Sequence, residues 1–236
     1  ARETGDDFNF VLSRYALERW LYRLSVSESR EHLWLKGAML FALWFDAPHR
    51  PTRDADFLGA AEAGAKVLQD IVRRISATDC DDGMGFDQKT VTVEEIREGD
   101  GYGGLRVKVL GRLGNARCPL QLDVGYGDAV TPGVEDADYP TLLEDVPAPN
   151  LKVYPRATVV AEKLECIASL GMANSRMKDY FDLYALAMED AISEELLGEA
   201  IAATFKRRRT PLPKDLPVGL TMEFASAADK QTQWRS

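Results

Sequence analysis

The segment Arg50-Pro51-Thr52-Arg53-Asp54-Ala55-Asp56-Phe57-Leu58 sets two acids two residues apart at the head of an apolar run. An extended chain turns successive side chains to opposite faces, so Asp54 and Asp56 project together while Ala55 and Phe57 project the other way. Two like charges held that close are costly unless a cation stands between them. Magnesium suits the place, because it takes hard oxygen ligands, commonly one or two carboxylates completed by water and substrate phosphate. Taken alone, an Asp-x-Asp is more often a turn or a helix cap. Its surroundings decide the reading.

Upstream, the apolar run His32-Leu33-Trp34-Leu35 leads into Lys36-Gly37 and then into Ala38-Met39-Leu40-Phe41-Ala42-Leu43-Trp44, which reads as strand, tight turn and buried helix. Backbone N–H groups at such a helix start form an anion site, and a glycine lets a phosphate come close to the main chain. Lys36 and Gly37 are therefore candidate phosphate contacts, joined by Thr52 and Arg53 directly ahead of the acids. Pro48 and Pro51 break the helix and make the approach to Asp54 irregular. A phosphate group on Thr52 would add about two negative charges beside the acids and is expected to inhibit.

Downstream, Leu120-Gln121-Leu122-Asp123-Val124 puts its apolar residues on one face and Asp123 on the other. Asp123 is thus a candidate third carboxylate on a neighbouring strand. Three carboxylates can hold two magnesium ions, one carrying a triphosphate and one lowering the pKa of an attacking hydroxyl, with Asp123 available as the base.

Around this centre the pattern is mixed. Helical spacing marks residues 10–24 and 62–76, while residues 90–93, 105–110 and 120–124 alternate as strands. After Tyr154-Pro155 the chain turns helical, over 158–170, 178–188 and 194–207, and Pro211 to Pro217 reads as extended or turning. No internal repeat is present. The expected organisation is α/β (α+β), with a mixed sheet and flanking helices over 1–152 followed by a helical domain over 153–236.

With 236 residues and 45% hydrophobic content, the chain is able to enclose a site. No apolar stretch approaches the roughly 20 residues of a membrane span, and the start lacks the order of a signal peptide, so a cytoplasmic, non-membrane protein is expected. The missing initiator Met and the abrupt end at Trp234-Arg235-Ser236 suggest that part of the natural chain is absent. Cys80, Cys118 and Cys166 are too scattered for a disulfide framework, and the two histidines make no zinc pattern. A net charge of −9 argues against general coating of nucleic acid. Local basic runs at Arg73-Arg74 and Lys206-Arg207-Arg208-Arg209 remain compatible with an RNA groove, although the second also suits a helix C-terminus.

The ordered set Lys36-Gly37 plus apolar helix, Arg-Pro-Thr-Arg-Asp54-Ala-Asp56-Phe, Ala161-Glu162-Lys163-Leu164 and Asn174-Ser175-Arg176-Met177-Lys178-Asp179-Tyr180-Phe181-Asp182-Leu183 resembles the AbiEii/AbiGii class of nucleotidyltransferase toxins, within the DNA polymerase beta-like superfamily. The resemblance spans Lys36 to Leu183. It implies a nucleotidyltransferase-type sheet, metal ligation by Asp54 and Asp56, Gly37 in the phosphate turn, Lys163 on the nucleotide phosphates and Asp182 completing the site. It implies a nucleoside triphosphate as substrate, an RNA acceptor such as the 3′ end of tRNA, and a cognate antitoxin. Asp182, deep in its helix, ranks above Asp179, which is explained by a helix start. The phosphate turn departs from the superfamily: Gly37-Ala38-Met39 stands where Gly-Ser or Gly-Gly-Thr is usual, so no hydroxyl is offered there. A non-catalytic binding module, or transfer to a small molecule or protein, are the competing expectations.

Overall fold

The computed structural model describes residues 7–45, 52, 54–98, 102–189 and 191–235. They form two compact units, one of residues 1–127 with 135–153 and the other of residues 128–134 with 154–236. Arg53, Pro48 and Pro51, all invoked above, lie outside the described residues.

The first unit is a mixed seven-stranded sheet. Its strands are β1 (Leu33–Lys36), β2 (Asp54–Gly59), β3 (Met84–Glu98), β4 (Tyr102–Leu113), β5 (Ala116–Tyr126), β6 (Glu135–Asp138) and β7 (Asn150–Val153), in the order β3-β4-β5-β2-β1-β7-β6. Strands β2 and β5 run parallel, as do β1 and β7, and the remaining pairs are antiparallel. The register aligns Ala55 with Leu122 and Leu122 with Val107, then Phe57 with Val124 and Val124 with Leu105. One face of the central strands is therefore apolar, and all of these side chains are buried.

Helices α1 (Phe8–Ser25) and α3 (Ala65–Ala77) cover that face. Asp7 caps α1 by accepting from the Phe10 N–H at 3.0 Å. Trp20 of α1 meets Phe57 edge-on, with ring centroids 6.0 Å apart, and its indole N–H donates to Ser76 of α3 at 3.2 Å. Leu68, Val72 and Ile75 bring the apolar side of α3 into the same core, as their spacing requires. Arg23, almost fully enclosed, holds both oxygens of Asp82 at 2.7 and 3.0 Å and the Met84 carbonyl at 2.7 Å, which satisfies a charge that burial would otherwise penalise.

Expected and observed elements differ in instructive places. The stretch after Gly37 is a 3₁₀ turn, Gly37–Leu40, followed by a single α turn, α2 (Phe41–Trp44), instead of a continuous helix. The three middle strands run well past their expected ends. Strand β6 was not anticipated because Glu135-Asp136-Ala137-Asp138 looks like an acidic turn. It holds its place by antiparallel pairing to β7, with Asp136 taken by Lys152 at 2.9 Å and by Arg30.

The second unit is helical: α4 (Arg156–Leu170), α5 (Met177–Ala187), α6 (Glu194–Arg208), α7 (Met222–Ser226) and α8 (Ala228–Arg235). Small residues Ala157, Ala161 and Ala200 let α4 and α6 pack closely, with Ile192, Leu196 and Ile201 against them. Helices α7 and α8 follow the extended Pro-rich stretch. Tyr180 of α5 stacks on Phe224 of α7, centroids 5.2 Å apart, and the Lys230 ammonium of α8 donates to the Asn174 carbonyl at 3.0 Å. Among the described residues, no helix is long and apolar enough to cross a membrane.

Candidate functional site

The face of the sheet opposite α1 and α3 carries the acids. Lys36 of β1 is aligned with Asp56, Asp56 with Asp123 of β5, Asp54 with Gln121, and Asp123 with Arg106 of β4. Asp54, Asp56 and Asp123 thus share one face, as the two-residue period requires. Asp54 is exposed and Asp56 half-buried.

Gly37 is bound to this arrangement by geometry. It adopts φ +73°, a left-handed conformation that disfavours any side chain. A Cβ added there would lie 2.2 Å from Oδ2 of Asp56 and 2.9 Å from its Cγ. The turn is pressed against the carboxylate, and glycine is the residue that permits it. The neighbouring Lys36 extends across the sheet until its ammonium lies 3.8 Å from where a Cβ on Gly125 of β5 would stand. The ammonium thus stands over the acid face, in ordinary contact distance of β5. Because the turn leads into short elements, an anion held here would draw on local N–H groups and Lys36 and little on a helix dipole.

Asp123 stands differently from the pair on β2. Arg106 grips both of its oxygens, Nε to Oδ1 at 2.9 Å and Nη2 to Oδ2 at 2.7 Å. Gln121, with its amide turned so that the oxygen faces the guanidinium, accepts from Arg106 at 3.1 and 3.3 Å. The hydrogen bond to Asp123 holds the Arg106 guanidinium above its ordinary pKa against the opposing effect of desolvation, and the charges of Asp123, Asp54 and Glu94 add to it. Among the described residues no three His, Cys, Asp or Glu side chains are grouped to hold a metal ion. Asp54 and Asp56 on β2 are oxygen donors of the kind a hard divalent cation takes. Thr52 donates to the Asp54 carbonyl at 3.2 Å.

The second unit holds its own charged cluster. Lys163 of α4 places its ammonium 2.6 Å from Oδ1 of Asp179 and 2.8 Å from Oδ2 of Asp182, both on α5. Arg176 takes the other Asp179 oxygen at 2.9 Å. The Asp182 side chain is fully enclosed and that of Asp179 is 7% exposed. Sequence reasoning named Lys163 and Asp182 but ranked Asp179 below, as a helix-start acid. The structure makes Asp179 a full member, because residues three apart on one helix reach the same ammonium. The three-residue spacing of Asp179 and Asp182 was visible in the sequence, but their approach to Lys163 was not. Arg106 was missed as well, since nothing in the alternation of β4 reveals which residue it will face.

The basic runs separate. Arg73 and Arg74 lie on α3, on the side of the sheet away from Asp54 and Asp56, and Arg73 is paired with Asp70 at 3.6 Å. In the second unit Arg208 is turned inward, 2.9 Å from Glu165, 3.4 Å from Asp128 and 3.5 Å from Glu162, and these acids raise its pKa against desolvation. Arg208 is thus an internal partner for acids of α4, and only its neighbours in the run face outward.

Comparison with known proteins bears on the whole chain. The sequence profile of the family described as "Nucleotidyl transferase AbiEii toxin, Type IV TA system" matches residues 19–236. No curated protein sequence matches significantly. Among solved structures, that of JHP933 from Helicobacter pylori aligns with a TM-score of 0.50 at 14% identity, over 97% of this chain and 91% of that one. A protein described as a candidate nucleotidyltransferase of H. pylori aligns with a TM-score of 0.50 at 13% identity, over 98% and 95%. At such identity these two likenesses speak for the fold.

Proposed function

This chain belongs to the AbiEii family of nucleotidyl transferase toxins of type IV toxin–antitoxin systems, and we propose that it moves a nucleoside monophosphate from a triphosphate to an acceptor hydroxyl, with pyrophosphate leaving. The observation that carries this reading is the fit of Gly37 against Asp56, where a Cβ would meet the carboxylate at 2.2 Å. A glycine in a left-handed turn pressed against a carboxylate is the arrangement expected where a phosphate-binding turn and a cation-binding carboxylate share one small space.

In this reading Asp54 and Asp56 would hold a magnesium ion, which would supply charge neutralisation for the triphosphate and its pyrophosphate leaving group. Lys36 and the N–H groups following Gly37 receive phosphate oxygens on the same face. Lys163 serves the nucleotide phosphates, and Asp179 and Asp182 fix the direction of its ammonium. A lysine so placed adds positive charge without competing for metal coordination.

The acceptor we propose is RNA, with the 3′ end of tRNA first to be tried, and the cognate antitoxin and a nucleoside triphosphate complete the set of partners. A small-molecule acceptor is the second reading, favoured by the placement of Arg73 and Arg74 away from the acids. Incubation with each α-labelled triphosphate, magnesium and either total tRNA or a panel of small hydroxyl acceptors tests both. Label on tRNA that disappears in Asp54→Asn and Asp56→Asn supports RNA transfer. Label only on small acceptors moves the assignment to the second reading. No transfer from any of the four triphosphates, with undiminished nucleotide binding by Asp54→Asn, would sink both.

A further inference from the structure

The face that carries the acids continues past them along the β4–β5 hairpin. The tight turn Gly114-Asn115 sets the register of its strands, so that Arg106 stands opposite Asp123, Lys108 opposite Gln121, Leu110 opposite Pro119 and Arg112 opposite Arg117. The residues between them, Val107, Val109, Leu120 and Leu122, are buried in the core. All of the first set therefore share the face of Asp54 and Asp56.

The cations of this face are of two kinds. Arg106 holds Asp123 at 2.9 and 2.7 Å, and Lys108 holds Glu94 of β3 at 3.1 Å. Asp87 of β3 accepts from the Lys89 N–H at 3.0 Å. Arg112 and Arg117, by contrast, are both exposed, and neither makes an ion pair with a described residue. Like charges directly opposite on neighbouring strands repel and cost stability, and an anion laid across both would relieve them. From this pair back to Asp123 the two rows hold only Lys108, Leu110, Pro119, Gln121 and Arg106, with no acid among them. In a chain of net charge −9 such a stretch stands apart from its surroundings.

Position narrows the choice of anion. The phosphate turn at Gly37 follows β1, on one side of β2, whereas β5 and β4 lie on the other side. In an in-line displacement the attacking and leaving oxygens stand on opposite sides of the reacting phosphorus, so an acceptor has to come from the β5 side if pyrophosphate leaves toward Gly37. Positions 117 and 123 lie roughly 20 Å apart along β5, beyond the reach of a small acceptor but within that of a polynucleotide strand. Single-stranded nucleic acid takes a surface that pairs cations for its backbone with less polar ground for its bases, and Leu110 and the exposed Pro119 supply the second.

We propose that the outer face of β4 and β5 is the acceptor-strand surface, and that Arg112 and Arg117 together hold a backbone phosphate of RNA roughly 20 Å from the reacting hydroxyl. The proposal rests on RNA as the acceptor and deepens that reading. Arg112 and Arg117 bind the acceptor and take no part in the chemistry.

Binding of labelled total tRNA to the full chain, titrated against salt, tests the surface without turnover. The double variant Arg112→Gln with Arg117→Gln should bind about tenfold more weakly at low salt, and its dependence of log affinity on log salt should be shallower by about 0.7–0.9 per arginine. The corresponding double lysine variant keeps the charge and should keep the slope. Arg73→Gln with Arg74→Gln, on α3 behind the sheet, should change neither quantity. In label transfer the double glutamine variant should raise KM for tRNA with kcat held, and should leave transfer to a dinucleotide, too short to reach the arginines, as it was. Because both side chains are exposed, no variant should melt below the wild type. An unchanged slope and affinity in the double glutamine variant, or an equal loss in the Arg73 and Arg74 variant, would overturn the surface, while labelling of tRNA by the wild type would still keep RNA as the acceptor. A wild type that neither binds nor labels RNA overturns both.

Discussion

Replacing Gly37 by alanine should disable the protein with little damage to its fold, and two costs can be separated. Gly37 sits at φ +73°, where an L-residue pays about 1–2 kcal/mol. The added methyl also lands 2.2 Å from Oδ2, 2.9 Å from Cγ and 3.0 Å from Cβ of Asp56. The oxygen can swing aside, but the Cβ belongs to a strand paired on both sides and can yield only slightly. The carboxylate therefore has to turn away from the position it holds. The total cost is about 2 kcal/mol, a fall of roughly 4–8 °C in Tm for a chain of this size.

Gly114 supplies the comparison. It has φ +56°, yet nothing lies within 4 Å of a Cβ placed there. Gly114→Ala should lose about 1–2 kcal/mol for its backbone and keep nucleotidyl transfer. Gly37→Ala should lose transfer by about a hundredfold or more, as Asp56→Asn does, and the double variant Gly37→Ala with Asp56→Asn should be hardly worse than either alone. Label transfer from an α-labelled triphosphate and a thermal melt on the same samples measure both quantities. A folded Gly37→Ala with full transfer would refute the argument, because it would show that Asp56 has no need of the position the glycine protects.

Removing Lys163 leaves Asp179 and Asp182 enclosed without their shared ammonium, so Lys163→Met should lose about 3–5 kcal/mol in urea unfolding and recover part of it when Asp182→Asn is added. An unchanged midpoint in Lys163→Met would show that the cluster has another source of compensation. Arg208→Gln should lose about 2 kcal/mol, less than a fully buried pair because the side chain is 22% exposed, while Lys206→Gln should stay within about 0.5 kcal/mol. Equal melts for the two would mean that Arg208 is not the internal partner its distances describe. Arg209 ends α6 at φ +57°, so Arg209→Gly should raise stability by about 0.5–1 kcal/mol, and a lower Tm would count against that account. Desolvation pushes the Glu18 carboxyl up, more than the Leu142 N–H and Arg19 pull it down. A raised folded-state value gives stability that is full below the unfolded pKa and lost as pH rises through the folded one. The Tm difference between wild type and Glu18→Gln should therefore shift in favour of the wild type between pH 7 and pH 5, and parallel curves would contradict it.

How much of this was legible in the sequence follows from the range over which each feature is determined. That Asp54 and Asp56 share a face could be read directly, because side-chain alternation is a property of a strand by itself, whereas joining Asp123 to them needed the further step that both strands turn their apolar residues to one core. That Arg106 would lie against Asp123 could not, because alignment between β4 and β5 depends on where their turn falls, and a shift of one residue would have put Val107 there. The same distinction explains Asp179. Its spacing from Asp182 was visible, but the lysine that joins them comes from α4, and packing of one helix on another leaves no local trace. The continuous helix expected after Gly37 failed for another reason. The apolar run from Ala38 to Trp44 is too short to reveal a period, and its burial suits a 3₁₀ turn equally well.

Gly37 shows what the structure adds to a residue that the sequence had already singled out. In the sequence, the glycine served a phosphate, and the lack of a hydroxyl at Ala38 and Met39 was the best support for a binding module without turnover. In the structure, the strict demand for glycine comes from Asp56, since that carboxylate occupies the space a Cβ would fill. The hydroxyl and the glycine therefore answer separate questions. A hydroxyl at position 38 would add one donor to the phosphate site proposed at Lys36 and the following N–H groups, so its absence bears on the nucleotide affinity expected there. The glycine decides whether the Asp56 carboxylate can keep the position it holds. If Asp56 holds the cation as proposed, Gly37 and Asp56 act as a pair, and a change at either one should cost transfer through the other.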